Sequence, residues 1–259
     1  MIDNNIIFIT SFTSAVINLQ CCYQIVISID HPFECTINDH VNSNIHGFII
    51  NKRQPYHAFA AKETRVLVGY FEEETTLSNA IKSKLDGKVI LSLNKEVSKN
   101  LINNFLPNLD DSIQTLKQNA VLCFDSLLLS DTPNSKLRTE FIDPRIATII
   151  KYISENIKRK ITLKKMAAEV YLSVDRTRHL FLEETGTTLR QYILWKRVQQ
   201  TVYKVLNENW TLSEACILCG FNDISHFSRV FKNMFGIAPK HPLNSIIFLS
   251  MPDIYGAKD

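Results

Sequence analysis

Several features that would indicate secretion or membrane insertion are missing from this sequence. No apolar run reaches the roughly 18–20 residues that a membrane-spanning helix needs. The first five residues lack the basic segment and the small-residue cleavage site of a secretory signal. Glycine and proline are scarce, at 7 and 8 of 259 residues, as in an ordinary folded chain. The sequence therefore predicts a folded protein of the cytoplasm without membrane association.

A metal site and a disulfide framework are also missing. Cys216 and Cys219 have the spacing of half a zinc or redox site, but no second Cys or His pair lies at ligand spacing. In the cytoplasm the six thiols are expected to be reduced. We predict that Cys216 and Cys219 are small packing residues on a helix, and that the protein holds neither a metal nor a cofactor.

The first half of the chain lacks the patterns of catalysis. An iron site often has two histidines one residue apart on a strand, whereas His31, His46 and His57 are isolated. The sequence contains no G-x-S-x-G turn for a nucleophilic serine. We therefore predict no catalytic residues and no enzymatic activity, with the histidines at the surface or in the core.

Charge divides the chain into two unequal halves. A length of 259 residues suits two domains. Residues 1–140 hold 12 Lys and Arg against 15 Asp and Glu, whereas residues 141–259 hold 17 against 11. A surface that binds a polyanion, if the chain has one, is expected in the second half.

The first half predicts an α+β domain at residues 1–130. Short runs of β-branched and aromatic residues, separated by turn signals, predict an antiparallel sandwich or small barrel. The segment at residues 56–59 could line a small-molecule cavity inside such a barrel. The predicted strands are residues 6–10, 23–29, 34–37, 44–50 and 64–71, and the predicted helices that follow are residues 75–84, 96–105 and 111–129.

The helix at residues 111–129 has the clearest apolar stripe of the first half. Such a stripe packs on its own domain or forms a dimer seam, and both alternatives stay open. A polar segment without apolar periodicity follows, and it predicts a linker at residues 131–141. The stripe consists of Ile113, Leu116, Ala120, Cys123, Phe124 and Leu127.

The second half predicts an all-α domain at residues 142–242, with a tail at residues 243–259. Asp143 and Pro144 form a cap and a first helical position, and Ser173 caps a later helix. Gly186 and Gly236 follow the ends of two helices. Either Asn222 or Asp223 caps the last one. The predicted helices are residues 145–158, 162–170, 174–184, 188–206, 211–219 and 224–234.

A helix-turn-helix pattern occurs twice in this domain. Leu180-Phe181 stands five residues before Gly186, and Val230-Phe231 recurs with the same spacing before Gly236, 50 residues later. The helix between the two units, at 1.5 Å per residue, spans roughly 28 Å. This length is close to the ~34 Å between successive major-groove faces of B-DNA. One chain could therefore place two recognition helices in adjacent major grooves.

The two recognition segments resemble those of the AraC/XylS family of transcription regulators. Residues 173–186 are similar to the first recognition helix of that family, and residues 220–239 resemble its signature. The similarity covers about residues 143–242. Val174 stands where the family commonly has proline, and residues 241–243 lack the tyrosine that commonly follows Pro239.

The resemblance implies a sequence-specific DNA-binding regulator of transcription. Its implied partners are double-stranded DNA and RNA polymerase, with a small-molecule effector and a homodimer as further options. The first half is weakly similar to the cupin-like sensing domains that many members carry. Neither the effector, the operator, nor the choice between activator and repressor follows from the sequence.

Base contacts are expected from the outward faces of the two recognition helices. Arg178 and Arg229 can each donate two hydrogen bonds to guanine, and Ile224 can touch a thymine methyl group. Asp175 could accept from a cytosine amine or orient Arg178. The predicted base contacts are Asp175, Arg176, Arg178, His179, Ile224, Ser225, His226 and Arg229, and the predicted phosphate contacts are Lys196, Arg197 and Lys232.

Two other functions compete with a regulator. A DNA-modifying or repair enzyme would need a reactive cysteine in a basic pocket, and Cys21, Cys22 and Cys35 have few basic residues nearby. An architectural DNA-binding protein would bind cognate and random DNA almost equally at fixed salt.

Overall fold

The structure is a computed structural model that describes residues 5–18, 21–72, 76–129, 143–239 and 247–250. The chain divides into two compact units, one of residues 1–139 with 235–259 and the other of residues 140–234. The predicted linker lies outside the described residues. Within the described part, no helix is long and apolar enough to cross a membrane.

The first unit is built on an antiparallel near-barrel sheet, which confirms the predicted fold class. The longest strand, β6, pairs with β1, β2 and β3, because its 16 residues are long enough for several neighbours. The path of the sheet is β4-β3-β6-β2-β5-β7, and β1 also pairs with β8. The strands are β1 (Ile6–Ile17), β2 (Tyr23–Ser28), β3 (Phe33–Ile37), β4 (His40–Ile45), β5 (Gly47–Ile50), β6 (Tyr56–Phe71), β7 (Ile90–Ser92) and β8 (Ile247–Ser250).

The described part of the first unit also contains the helices α1 (Thr76–Leu85), α2 (Lys95–Phe105) and α3 (Ile113–Leu129). Five residues of the predicted α3 stripe are buried and belong to the core of this unit. These five therefore pack on their own domain. Ile113, the sixth, is 64% exposed. The five buried residues are Leu116, Ala120, Cys123, Phe124 and Leu127.

A buried polar chain lies inside the sheet. The Gln24 amide donates to the Tyr70 hydroxyl over 2.9 Å, and the Tyr56 hydroxyl donates to Gln24 Oε1 over 2.8 Å. Burial raises the pKa of both tyrosines well above its ordinary value. These groups line a cavity of about 30 Å³, well below the size of a small-molecule pocket. Tyr56 and Ala58 of the predicted cavity segment face this cavity, whereas His57 and Phe59 are exposed.

The second unit is helical in its described residues, as predicted. Side chains cap these helices: Asp143 accepts from the Arg145 amide, as predicted, and Thr188 and Thr211 form capping boxes. The helices are α4 (Pro144–Asn156), α5 (Leu163–Glu169), α6 (Val174–Thr185), α7 (Leu189–Asn207), α8 (Leu212–Leu218) and α9 (Ile224–Phe235).

Both helix-turn-helix pairs pack in the same way. In the first pair, α5 and α6, Met166 and Phe181 enter one core with the isoleucines of α4. In the second pair, α8 and α9, Cys216 and Phe231 are fully buried. An apolar or small residue, the small residue after it and the later phenylalanine are buried in both pairs: Met166, Ala167 and Phe181 in the first, and Ala215, Cys216 and Phe231 in the second. The predicted packing role of Cys216 agrees with this burial.

Candidate nucleic-acid interface

The first recognition helix, α6, has fixed ends and a fixed inner face. The Ser173 hydroxyl accepts from the Arg176 amide over 3.2 Å, and Gly186 ends the helix in the left-handed region at φ 67°. Thr177, Leu180 and Phe181 are buried. Since these residues hold one side of the helix against the core, the opposite side must face solvent.

The outer face of α6 carries the four predicted base contacts, and all four are exposed. Arg178 Nη1 lies 3.3 Å from Asp175 Oδ1, and His179 Nδ1 lies 2.9 Å from the Asp175 carbonyl oxygen. Arg176 pairs with Glu183 over 3.4 Å. Exposed ion pairs of this kind contribute about 0–1 kcal/mol, so the guanidinium groups can exchange them for base edges at little cost.

The second recognition helix, α9, is capped by Asp223, whose Oδ1 accepts from the His226 amide over 2.6 Å. This contact decides between the two predicted caps. Phe227, Val230 and Phe231 are buried beneath the helix. The apolar pair is buried in α9 as in α6, and Gly236 after α9 has a left-handed φ of 75°, as Gly186 has after α6.

The outer face of α9 places three of its four predicted contacts in solvent. Ile224, Ser225 and Arg229 are exposed, and Arg229 has no acidic partner among the described residues. His226 is only half-buried, with its ring 5.3 Å from that of Phe221. Its Nδ1 is enclosed, so only the other part of this imidazole is available to DNA.

The three predicted phosphate contacts differ sharply in exposure. Lys232 is exposed on α9. Lys196 is 9% exposed, and its ammonium group lies 5.4 Å from the centre of the Tyr192 ring. Arg197 is half-buried and donates to two backbone carbonyls, from Gly220 and Arg159. Phosphate contact stays a prediction for all three, but Lys196 and Arg197 already have partners within their own domain.

A basic segment that the sequence prediction omitted lies around the start of α5, the first helix of the first helix-turn-helix pair. The turn after α4 and the first turn of α5 carry five exposed cations, which are Lys158, Arg159, Lys160, Lys164 and Lys165. The run of like charge was visible in the sequence. Its exposure and its position beside the start of a short helix are what the structure adds.

The cysteines have no place in this interface. All six are buried and none forms a disulfide. Burial raises the pKa of the Cys35, Cys123 and Cys216 thiols to about 12. Among the residues that the structure describes, no group of His, Cys, Asp and Glu is arranged to hold a metal ion.

The thiols are therefore expected to react slowly in the native protein. Because burial raises the pKa of the Cys35, Cys123, Cys216 and Cys219 thiols, few of these are thiolates at pH 8, and thiolate is the reactive form. Burial also keeps Cys21 and Cys22 away from a reagent in solution. A colorimetric thiol reagent should label all six cysteines in denaturant but few in the native chain. A native cysteine that reacts within seconds would instead favour the DNA-modifying enzyme.

Comparison with known proteins identifies the helical unit. The family model described as "Helix-turn-helix domain" matches residues 166–244. The chain carries a helix-turn-helix domain of the AraC type. The AraC-type domain includes both recognition helices, so the match agrees with the resemblance found in residues 173–186 and 220–239.

Curated relatives of the AraC-type domain are named as regulators of transcription. The probable transcriptional regulator LumQ of Photobacterium leiognathi is 25% identical over 132 residues, which are 51% of this chain and 48% of LumQ. The transcriptional activator RhaS of Mannheimia succiniciproducens is 31% identical over 93 residues, 36% of this chain and 34% of RhaS. The matches thus span about half of the first relative and a third of the second.

A solved structure shares the fold of nearly the whole chain. A crystal structure of apo ToxT from Vibrio cholerae aligns with 91% of this chain and 95% of its own, with a TM-score of 0.61 and 16% identity. ToxT with a bound unsaturated fatty acid aligns with a TM-score of 0.57 at 15% identity, over 92% of this chain and 95% of its own. The arrangement of an antiparallel sheet and helices followed by a helical unit with two helix-turn-helix pairs is therefore a known fold.

Proposed function

We propose that this chain is a sequence-specific regulator of transcription that reads two adjacent major grooves of DNA with α6 and α9. One observation carries the proposal: two equivalent helices, at either end of α7, each bury an apolar face and expose an arginine-bearing face. A lone exposed arginine is ordinary, but Arg178 and Arg229 lie on corresponding faces of two repeated units. The 19 residues of α7 separate those units.

The proposed contacts fall into two kinds. Arg178 and Arg229 recognise guanine, and Ile224 lies against a thymine methyl group. Lys232 and the five cations around the start of α5 bind phosphates, which add affinity without sequence information. The protein binds DNA through both kinds of contact, but only the contacts with bases distinguish one site from another.

The remaining partners follow from this function. RNA polymerase is the partner through which a bound regulator acts, and a second copy of the chain is a further partner. Exposed Leu122 and Leu129 lie seven residues apart on α3 and give that helix an apolar outer edge. The proposal includes no catalytic step, and it locates the protein in the cytoplasm, where bacterial DNA is.

The test is selection of bound duplexes from a random library with the full chain. We expect an enriched sequence with two conserved segments about 10–10.5 base pairs apart, since that spacing places successive major grooves on one side of the duplex. Footprinting should show both segments protected on the same face. An enriched pool that binds no more tightly than random duplex at fixed salt would favour an architectural protein instead.

We further propose that the first unit senses a small, largely apolar effector in a groove bounded by α1, α2, α3 and the strands β5 and β7. The groove has a volume of about 340 Å³, which lies within the range of small-molecule pockets, whereas the cavity inside the sheet is about 30 Å³. Of the described residues that line the groove, Lys84 is the ionisable one, and Asn100, Asn104 and Ser126 are the other polar ones.

Filling the groove with a larger side chain is expected to reduce the binding of an apolar anionic dye there. Val97 lies at its edge and is 39% exposed, so Val97→Trp should reduce the fluorescence enhancement of anilinonaphthalene sulfonate. Val89 is 37% exposed and does not line the groove, so Val89→Trp is the matched control. Equal dye binding by the two variants would contradict the proposed site.

A further inference from the structure

Arg197 lies near the middle of α7, and its side chain turns inward. Its Nη1 donates to the Gly220 carbonyl over 2.8 Å, and its Nη2 donates to the Arg159 carbonyl over 3.2 Å. Its Nε is enclosed and has no hydrogen-bond partner among the described residues. Burial lowers the pKa of this guanidinium, although arginine stays charged in proteins. The guanidinium is therefore partly removed from water, and its hydrogen bonds go to backbone carbonyls and not to an acidic side chain.

The two carbonyls lie at different helix-turn-helix pairs, one just before the first pair and the other inside the second. Arg159 follows the end of α4, immediately before the first pair, and its own amide donates to Asn156. Gly220 stands in the turn between α8 and α9 of the second pair. The planar guanidinium of Arg197 thus connects α7 to both helix-turn-helix pairs. Arg159 and Gly220 are 38 and 23 residues away from Arg197 in the sequence.

Gly220 is shaped to this contact. Its φ of +84° is in the left-handed region, and a Cβ there would lie 2.8 Å from Arg197 Cζ and 2.9 Å from its Nε and Nη2. The turn therefore needs glycine both for its backbone angle and for the approach of the guanidinium. This close fit indicates that Arg197 and the second turn pack as one assembly.

We propose that Arg197 is a positioning residue that fixes both helix-turn-helix pairs against α7. It thereby sets the separation and the rotation between α6 and α9. The inference rests on the proposed function, because it concerns how the two helices meet DNA. A guanidinium presents a rigid fork of donors, whereas a lysine ammonium is a single point of charge on a flexible stem. Arg197→Lys keeps the charge but loses the bridge, since one ammonium cannot reproduce both contacts.

The experiment compares Arg197→Lys and Arg197→Ala with Arg190→Ala, which removes an exposed arginine from the same helix. Each full-length variant is titrated with a selected two-segment duplex and with a duplex in which one segment is scrambled. Both Arg197 variants should bind the two-segment duplex with about tenfold lower affinity, which corresponds to about 1.4 kcal/mol. Their affinity for the scrambled duplex should change little. The dependence of affinity on salt should not change, because no phosphate contact is lost.

A measurement without DNA keeps the two proposals separate. Spin labels on cysteines introduced at exposed Glu183 of α6 and Asn233 of α9 report the distance between the helices. The distribution should be narrow in the parent and Arg190→Ala, and broader in both Arg197 variants. If the parent chain binds no duplex selectively, the proposed function fails, while the spin-label result still decides the role of Arg197.

Three results would overturn the inference. One is an unchanged distance distribution in both Arg197 variants. Another is normal binding by Arg197→Lys together with a salt slope in Arg197→Ala that falls by about 0.9, which would make Arg197 a phosphate contact. The third is an equal loss on both duplexes. Tryptophan emission checks that each variant is folded. If Arg197→Ala does not fold, Arg197→Lys is the variant that tests the inference.

Discussion

Replacing Arg229 by alanine is expected to weaken binding to a selected duplex by about 1–3 kcal/mol and to leave binding to random duplex almost unchanged. Arg229 lies exposed on α9 with no acidic partner among the described residues, so its guanidinium is available to a guanine without first breaking an ion pair. Arg178 must first release Asp175. Anisotropy titrations of the full chain at one fixed salt concentration measure both affinities.

Lys232→Ala is the control for Arg229→Ala, since it removes an exposed positive charge three residues further along the same helix. Loss of a phosphate contact should weaken binding to both duplexes by a similar factor and reduce the salt slope by about 1. Equal losses for Arg229→Ala on selected and random DNA would make Arg229 another phosphate contact. No loss on either duplex would contradict the proposed docking of α9.

Replacing Phe181 by alanine is expected to destabilise the helical unit by about 3–5 kcal/mol. Phe181 is fully buried, and its ring meets that of Tyr192 edge to face at 5.3 Å. The change removes a large apolar side chain from the core that also includes Ile149 and Met166, and it leaves a cavity there. Because this core holds α6 against α4, selective DNA binding should fall with stability.

Urea unfolding followed by tryptophan emission isolates this effect. The two tryptophans of the chain, Trp195 and Trp210, both lie in the second unit, so their emission reports that unit and not the sheet. Ile217→Ala is the control, because Ile217 is 63% exposed on α8 and its loss should change the free energy of unfolding by less than about 0.5 kcal/mol. Similar midpoints for the two variants would show that the described core is wrong.

The helical unit could be predicted closely because its signals are local. Ser173 and Gly186 bound α6 as caps, and the predicted helix at residues 174–184 differs from Val174–Thr185 by one residue. The spacer, predicted at residues 188–206, is Leu189–Asn207. Side-chain caps and a 3.6-residue period act within a few residues of sequence, so they can be recognised without knowing the fold.

The sheet was predicted less completely, since strand length depends on distant partners. The prediction gave residues 64–71, but β6 begins at Tyr56. Its first half carries exposed polar residues such as Lys62 and Glu63, and it forms a strand because β1 and β3 pair with it. The three residues of β7 were missed as well, because so short a strand has no period of its own and is defined by its pairing with β5.

The candidate site shows the same division. Helical periodicity was enough to separate the outward faces of α6 and α9 from their buried faces. It could not show that Arg197 would meet carbonyls 23 and 38 residues away, or that His226 would pack on Phe221. Those contacts depend on how helices meet in three dimensions. From the local sequence alone, an exposed position was equally reasonable for Arg197 and for His226.

The order of the two helix-turn-helix pairs gives the molecule a direction. Dimeric regulators related by a two-fold axis match palindromic operators, and such a complex is unchanged when the DNA is turned end for end. Here α5–α6 and α8–α9 follow one another along a single chain and present different side chains, so no such axis relates them. A site bound by one chain is therefore asymmetric, and inverting it in a promoter would reverse the order in which the two helix-turn-helix pairs meet the duplex.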